Sequence, residues 1–123
     1  MNIALWIAQV LLAVVFLYSG IAKASLPKDR LIAIGQTGVA PFPLPFIRTI
    51  ATLELLGCVG LILPQATGIA PYLTVAAAAG LGIIMIGAAF AHRSLGEYKQ
   101  VFGVNLPLFL ICVFVVVGRL LGY

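Results

Sequence analysis

Along the 123 residues, apolar positions come in four long runs separated by short segments that hold most of the polar residues. The first run extends from Ile3 to about Ala22 and is interrupted only by Gln9. The second covers about Phe46 to Leu63, is entered through Pro43 and Pro45, and is closed by Pro64. The third is Tyr72 to Ala91, and the fourth begins near Asn105-Leu106-Pro107 and ends at about Leu121. A bilayer core about 30 Å thick needs roughly 20 apolar residues per helix. Four such spans consume roughly 80 residues and leave about 40 for connections, so a fifth does not fit. The pattern predicts one all-α domain, an integral membrane four-helix bundle.

The first connection, SLPKDRLIAIGQTGVAPFPLP, carries four of the seven prolines. Leu31, Ile32 and Ile34 lie between charged residues and Gly35, which predicts a short interfacial helix ending at the glycine. PQATGIAP is a tight uncharged second link, and HRSLGEYKQVFG reads as the third loop. Ala22-Lys23-Ala24 has the small-x-small form of a leader cleavage site. The start MNIALW lacks a basic segment, however, and the apolar run exceeds the usual leader core, so cleavage is not expected.

Composition agrees with a lipid solvent. The chain is 63% hydrophobic and 8% charged, with a mean hydropathy of +1.23. A soluble domain of this size could not hide that much apolar surface. The net charge of +4 does not signal nucleic acid, because the basic residues are scattered at helix ends instead of forming a stripe. Lys23, Lys28, Arg30, Arg48, Arg93 and Lys99 flank the first and third loops, and only Arg119 lies at the other end. The positive-inside rule then puts those loops in the cytoplasm and both termini outside a plasma membrane. Cys58 and Cys112 lie in apolar runs at different depths and read as small fillers, not as a disulfide. Small residues at Ala77, Gly80, Gly87, Ala88 and Ala91, with Gly57 and Gly60, predict close helix packing, while the bulky fourth span suits lipid.

Glu54 is the most informative position. It lies about eight residues, or roughly 12 Å, inside the second span, where an ionisable group is costly without a partner or water. Lys23 closes the first span on a face shared with Phe16, Ser19 and Gly20, and its stem can reach Glu54 or snorkel outward. Glu54 is thus either a ligand-binding or proton-handling group, or half of a structural ion pair. His92, at the end of the third span, and Asn105, placed to cap the fourth, each have a structural alternative: an interfacial polar residue and an N-cap. No acid or histidine stands at metal-ligand spacing around His92, so no metal site is expected.

Four segments taken together resemble the DoxX-like family: FLYSGIAKAS, LELLGCVGLILP, LTVAAAAGLGIIMIGAAFAHR and GEYKQVFGVNLPLFL. The resemblance implies a small four-helix protein, mostly of bacterial inner membranes. Gly20, Lys23, Glu54, Gly57, His92 and Asn105 are its characteristic positions. Some relatives are tied to thiosulfate:quinone oxidoreduction or to oxidative-stress complexes. The chain has no haem, flavin or cluster motif, so a quinone-facing or anchoring subunit fits better than a complete enzyme. The expectations for function are a membrane subunit binding an amphipathic molecule such as a quinone, or docking a soluble or membrane redox partner. Glu54, Lys23, His92, Asn105 and Ser19 are its site candidates. A proton-coupled exporter and an assembly or anchoring factor are the alternatives, and a homo-oligomer is expected as readily as a monomer.

Overall fold

A computed structural model describes residues 1–123 as an all-helical chain without strands. Four spans dominate it: α1 (Asn2–Ser25), α3 (Leu44–Thr67), α4 (Tyr72–Ser94) and the helical stretch Tyr98–Leu120. The last comprises α5 (Tyr98–Gln100), a π turn (Val101–Asn105) and α6 (Leu106–Leu120). The first connection contains the short α2 (Lys28–Ala33) and a 3₁₀ turn (Thr37–Val39). In space α1 packs on α3, α3 on α4, α4 on α6, and α6 returns to α1.

α1 has no internal proline and buries Leu5, Ala8, Gln9, Leu12, Phe16 and Gly20, one stripe at three- and four-residue spacing. Ile3, Ile7, Val10, Val14, Leu17 and Ile21 are exposed on the opposite side. A span that is apolar on both faces meets protein on one and lipid on the other. The helix stops at Leu26, whose extended backbone (ψ 146°) is what the following Pro27 imposes on its predecessor. α2 ends at Ala33, and the chain turns two residues later at Gly35, whose φ of +98° suits glycine. The Gln36 amide closes this turn by donating to the Leu31 carbonyl at 2.8 Å.

The second span does not close at Pro64. Proline removes one backbone donor and leaves the carbonyl four residues earlier, that of Gly60, unbonded. The Thr74 hydroxyl donates to that carbonyl at 2.9 Å, and the Gln9 side chain donates to the next one, Leu61, at 2.5 Å. With the Gly60 carbonyl satisfied by a neighbouring helix, α3 runs on to Thr67 and ends at Gly68, with φ +73°.

The third loop is also shorter than the sequence pattern suggests. α4 continues to Ser94, and helix resumes at Tyr98 after only Leu95, Gly96 and Glu97. Asn105 is not a cap: it has helical dihedrals and makes no side-chain capping bond. The apolar run begins near Asn105, whereas the helix begins at Tyr98, about two turns earlier. The π turn falls where Pro107 withholds an N–H from the preceding turn.

The core is built from Leu12, Phe16, Cys58, Leu61, Ala78, Leu81, Met85, Cys112 and Val115. Both cysteines are free and buried. A second, smaller cluster of Ala22, Leu31, Val39 and Ile47 fastens the first connection to the bundle. At the end that carries the termini, Arg119 donates to Gln9 Oε1 at 2.8 Å and to Asn2 Oδ1 at 2.7 Å. Its guanidinium also lies 5.5 Å from the Trp6 ring centroid. The fourth span is accordingly not a purely lipid-facing helix, since Cys112, Val115, Gly118 and Arg119 point inward.

Gly60 makes a close approach between α3 and α4: a Cβ there would stand 2.8 Å from the Ala77 Cβ. Gly80 and Gly87 face open space instead. Gly60→Val should therefore overpack the α3–α4 contact and cost about 1–3 kcal/mol. Gly80→Ala should be neutral, or stabilising by up to about 1 kcal/mol through helix propensity. Unfolding of the purified protein in detergent distinguishes the two. Equal losses in both variants would contradict this packing.

Candidate functional site

At the end of the bundle that carries the first and third connections, α1 and α3 bring together a charged pair. Lys23 Nζ donates to Glu54 Oε1 at 2.8 Å. Glu54 is fully buried, while the lysine side chain keeps 13% of its surface. Of the two courses open to Lys23, the structure shows the inward one. The second carboxylate oxygen, Oε2, is buried and has no partner. Arg48 donates to the Lys23 carbonyl at 2.5 Å, tying down the last turn of α1 and with it the lysine. Close approach of the two helices is allowed by Gly20, where a Cβ would stand 2.9 Å from Leu55.

Beside this pair lies a cavity of about 520 Å³. Its polar wall is formed by Ser19 and Lys23 of α1, Gln36 of the first connection, His92 of α4, and Gln100 and Asn105 of the fourth span. Phe16, Ile50, Ile84 and Leu108 supply part of its apolar wall. Thus Ser19, Lys23, His92 and Asn105, which lie on three different spans, converge on one space. Glu54 does not touch that space but stands behind Lys23. Its carboxylate meets the ammonium group that does line the space.

His92 is buried (8% exposed), so it is more than an exposed interfacial residue. Its Nδ1 is 2.9 Å from Glu97 Oε1, and the same oxygen accepts a 2.8 Å bond from the Thr37 hydroxyl. These bonds connect the first connection to the third. They also hold the Glu97 carboxyl below its usual range: the bond to His92 contributes most, followed by the bond from Thr37, both favouring the ionised form. Glu97 and Thr37 were not among the sequence candidates. The available signal was weak, namely that one of only three acids follows the single histidine by five residues.

Asn105 is 4% exposed. Its Nδ2 is 3.8 Å from Met85 Sδ, and its buried Oδ1 has no partner. With Met85 it also borders a second groove of about 480 Å³, between α4 and the start of the fourth span, with Phe90, Arg93, Phe102 and Phe109.

The Lys23–Glu54 pair can be tested by stability. Lys23→Ala leaves a buried carboxylate without its cation and should cost about 3–5 kcal/mol. Glu54→Gln should cost less, because the freed lysine can extend to the headgroups. Lys23→Met combined with Glu54→Leu should recover most of the loss. Denaturation of these variants and of Lys23→Ala combined with Glu54→Gln in the same micelles gives the coupling, and strictly additive losses in that double variant would show that the two residues do not act as a pair.

Comparison with known proteins adds one result. No curated protein and no solved structure matches the chain. The model of the DoxX-like family matches residues 7–115, which includes α3, α4 and every residue around the cavity. With four helices long and apolar enough to cross a bilayer, the chain is a multi-pass membrane protein and belongs to the DoxX-like family.

Proposed function

We propose that the chain is a membrane subunit that binds a small amphipathic molecule, a quinone being one candidate, in the cavity beside Lys23. In this reading it serves a quinone-linked or oxidative-stress redox system, with the electron donor supplied by a partner. The observation that carries it is the convergence of Ser19, Lys23, His92 and Asn105 on one cavity with an otherwise mostly apolar wall. Such a mixture, apolar walls with a few placed polar groups, suits an amphipathic ligand. Lys23 anchors the polar part, and Glu54 behind it sets the charge of the site. Tyr18, Leu53 and Ile83 belong to the same cavity and are exposed on the outside of the bundle, so a ligand dissolved in the bilayer has a route inward.

The alternatives receive less support. An assembly factor needs the ion pair alone, without a cavity beside it. An exporter needs an acid that exchanges protons with both sides of the membrane, and Glu54 is sealed behind Lys23.

Native mass spectrometry of gently extracted protein, with identification of released small molecules, tests the reading. A quinone or similar lipid-like molecule should accompany the wild-type chain. Gly87 lines the cavity and has no atom within 4 Å of where its Cβ would stand. Gly87→Phe should therefore fill the cavity and release most of the ligand while the bundle still folds. A bare wild-type chain, or equal ligand in the variant, would count against the reading.

We also propose that the end of the bundle with the first and third connections, which carries six of the seven basic residues, faces the cytoplasm of a plasma membrane, with both termini outside. Ser25 is exposed at the end of α1, and both native cysteines are buried. In Ser25→Cys, a membrane-impermeant maleimide should label inverted vesicles and spare intact cells. Labelling of intact cells would reverse the orientation.

A further inference from the structure

We infer that His92 is the cavity's hydrogen-bond acceptor, recognising a neutral ligand that carries an O–H group, as the quinol form of a quinone does, and that Glu97 is the positioning residue that makes it so. This deepens the ligand-binding reading above and rests on it.

An ionised carboxylate can only accept hydrogen bonds. The 2.9 Å contact between Glu97 Oε1 and His92 Nδ1 therefore puts a proton on Nδ1. In the neutral imidazole the other nitrogen, Nε2, is then a lone-pair acceptor. Nε2 has no hydrogen-bond partner in the protein, and the ring forms part of the cavity wall. Thr37 holds the same carboxylate oxygen from the other side, so Glu97 is fixed relative to both connections.

Gly38 keeps the Nε2 edge clear. It lines the cavity next to His92, and a Cβ there would stand 2.9 Å from Nε2 and 3.1 Å from Cε1. Its φ lies outside the left-handed region, so the backbone does not demand glycine at this position, whereas the space beside the imidazole does.

Charge argues for a neutral ligand. Lys23 is the one ammonium group on the cavity wall, and Glu54 already neutralises it at 2.8 Å. Of the other charged groups near His92, Glu97 is engaged at Nδ1. Arg93, next in sequence, borders the separate groove between α4 and the fourth span. Lys99 is exposed. Nothing on the wall is left to balance an added anion. The cavity then offers an N–H donor at Lys23 and a lone pair at His92, set among apolar side chains.

His92 is the only histidine, so its ring nitrogens can be followed individually by NMR in nitrogen-15 histidine-labelled protein in micelles. The experiment compares para-hexylphenol with para-hexylanisole, which differ by an O–H donor, at about pH 8, where an ordinary imidazole is neutral. The phenol should shift the Nε2 resonance and bind about fivefold more tightly than the ether, the worth of one ordinary hydrogen bond. Glu97→Ala should let the proton redistribute between the two nitrogens and reduce that ratio towards one. Gly38→Ala should lower it while leaving Nδ1 bonded to Glu97. Equal binding of both probes to the wild-type protein, with cavity resonances perturbed, would overturn the role of His92 and leave the ligand-binding reading standing. Absence of any cavity perturbation by either probe would overturn both.

Discussion

Inside hydrocarbon, a backbone or side-chain polar group without an internal partner costs several kcal/mol, because no water is there to replace the missing bond. Most of this bundle can be understood as an answer to that constraint. Pro64 leaves the Gly60 carbonyl without its helical donor, and Thr74 closes it from α4, while Gln9 of α1 adds a bond to the neighbouring Leu61 carbonyl. Gln9 in turn is held by Arg119, which also reaches Asn2 and the carbonyl of Tyr123. A polar chain thus links three spans beside Pro64 and draws the terminal end of the bundle together.

The opposite end answers the same constraint differently. There the polar groups are paired two by two, Lys23 with Glu54 and His92 with Glu97. They line or flank a space and do not fill it. The first connection, held by the Ala22, Leu31, Val39 and Ile47 cluster and by Thr37, lies over that space. Three buried polar atoms remain without a partner: Glu54 Oε2, Asn105 Oδ1 and Arg119 Nη2. Glu54 and Asn105 belong to the cavity end. Of the two, only Asn105 borders the cavity itself, and Glu54 lies behind Lys23.

Small residues serve two purposes in this fold, and spacing alone does not separate them. Gly20, Gly57 and Gly60 bring α3 against its neighbours, each leaving no room for a Cβ. Gly87 has the same composition and helical setting, but its missing side chain is part of the cavity volume. A stripe of glycine and alanine in a membrane helix can therefore mean contact or empty space. Only the position of the facing helix decides which.

The sequence by itself determined the class of the protein and the number of spans. A long apolar run can satisfy its backbone in lipid only as a helix, and 123 residues hold four such runs. It also marked Glu54 and Lys23, because charges within or at the edge of a span are rare and expensive. Tertiary structure decided what depends on partners distant in the chain. Neither the continuation of α3 through Pro64 nor the helical state of Asn105 is encoded locally. The first depends on a donor from α4, and the second on a helix that starts in a polar segment and widens ahead of Pro107. The inward turn of Lys23 required α3 at its side. The roles of Glu97, Thr37 and Gly38 became visible only when two connections far apart in sequence met over His92, since a hydrogen bond between loops leaves no periodic trace in the chain.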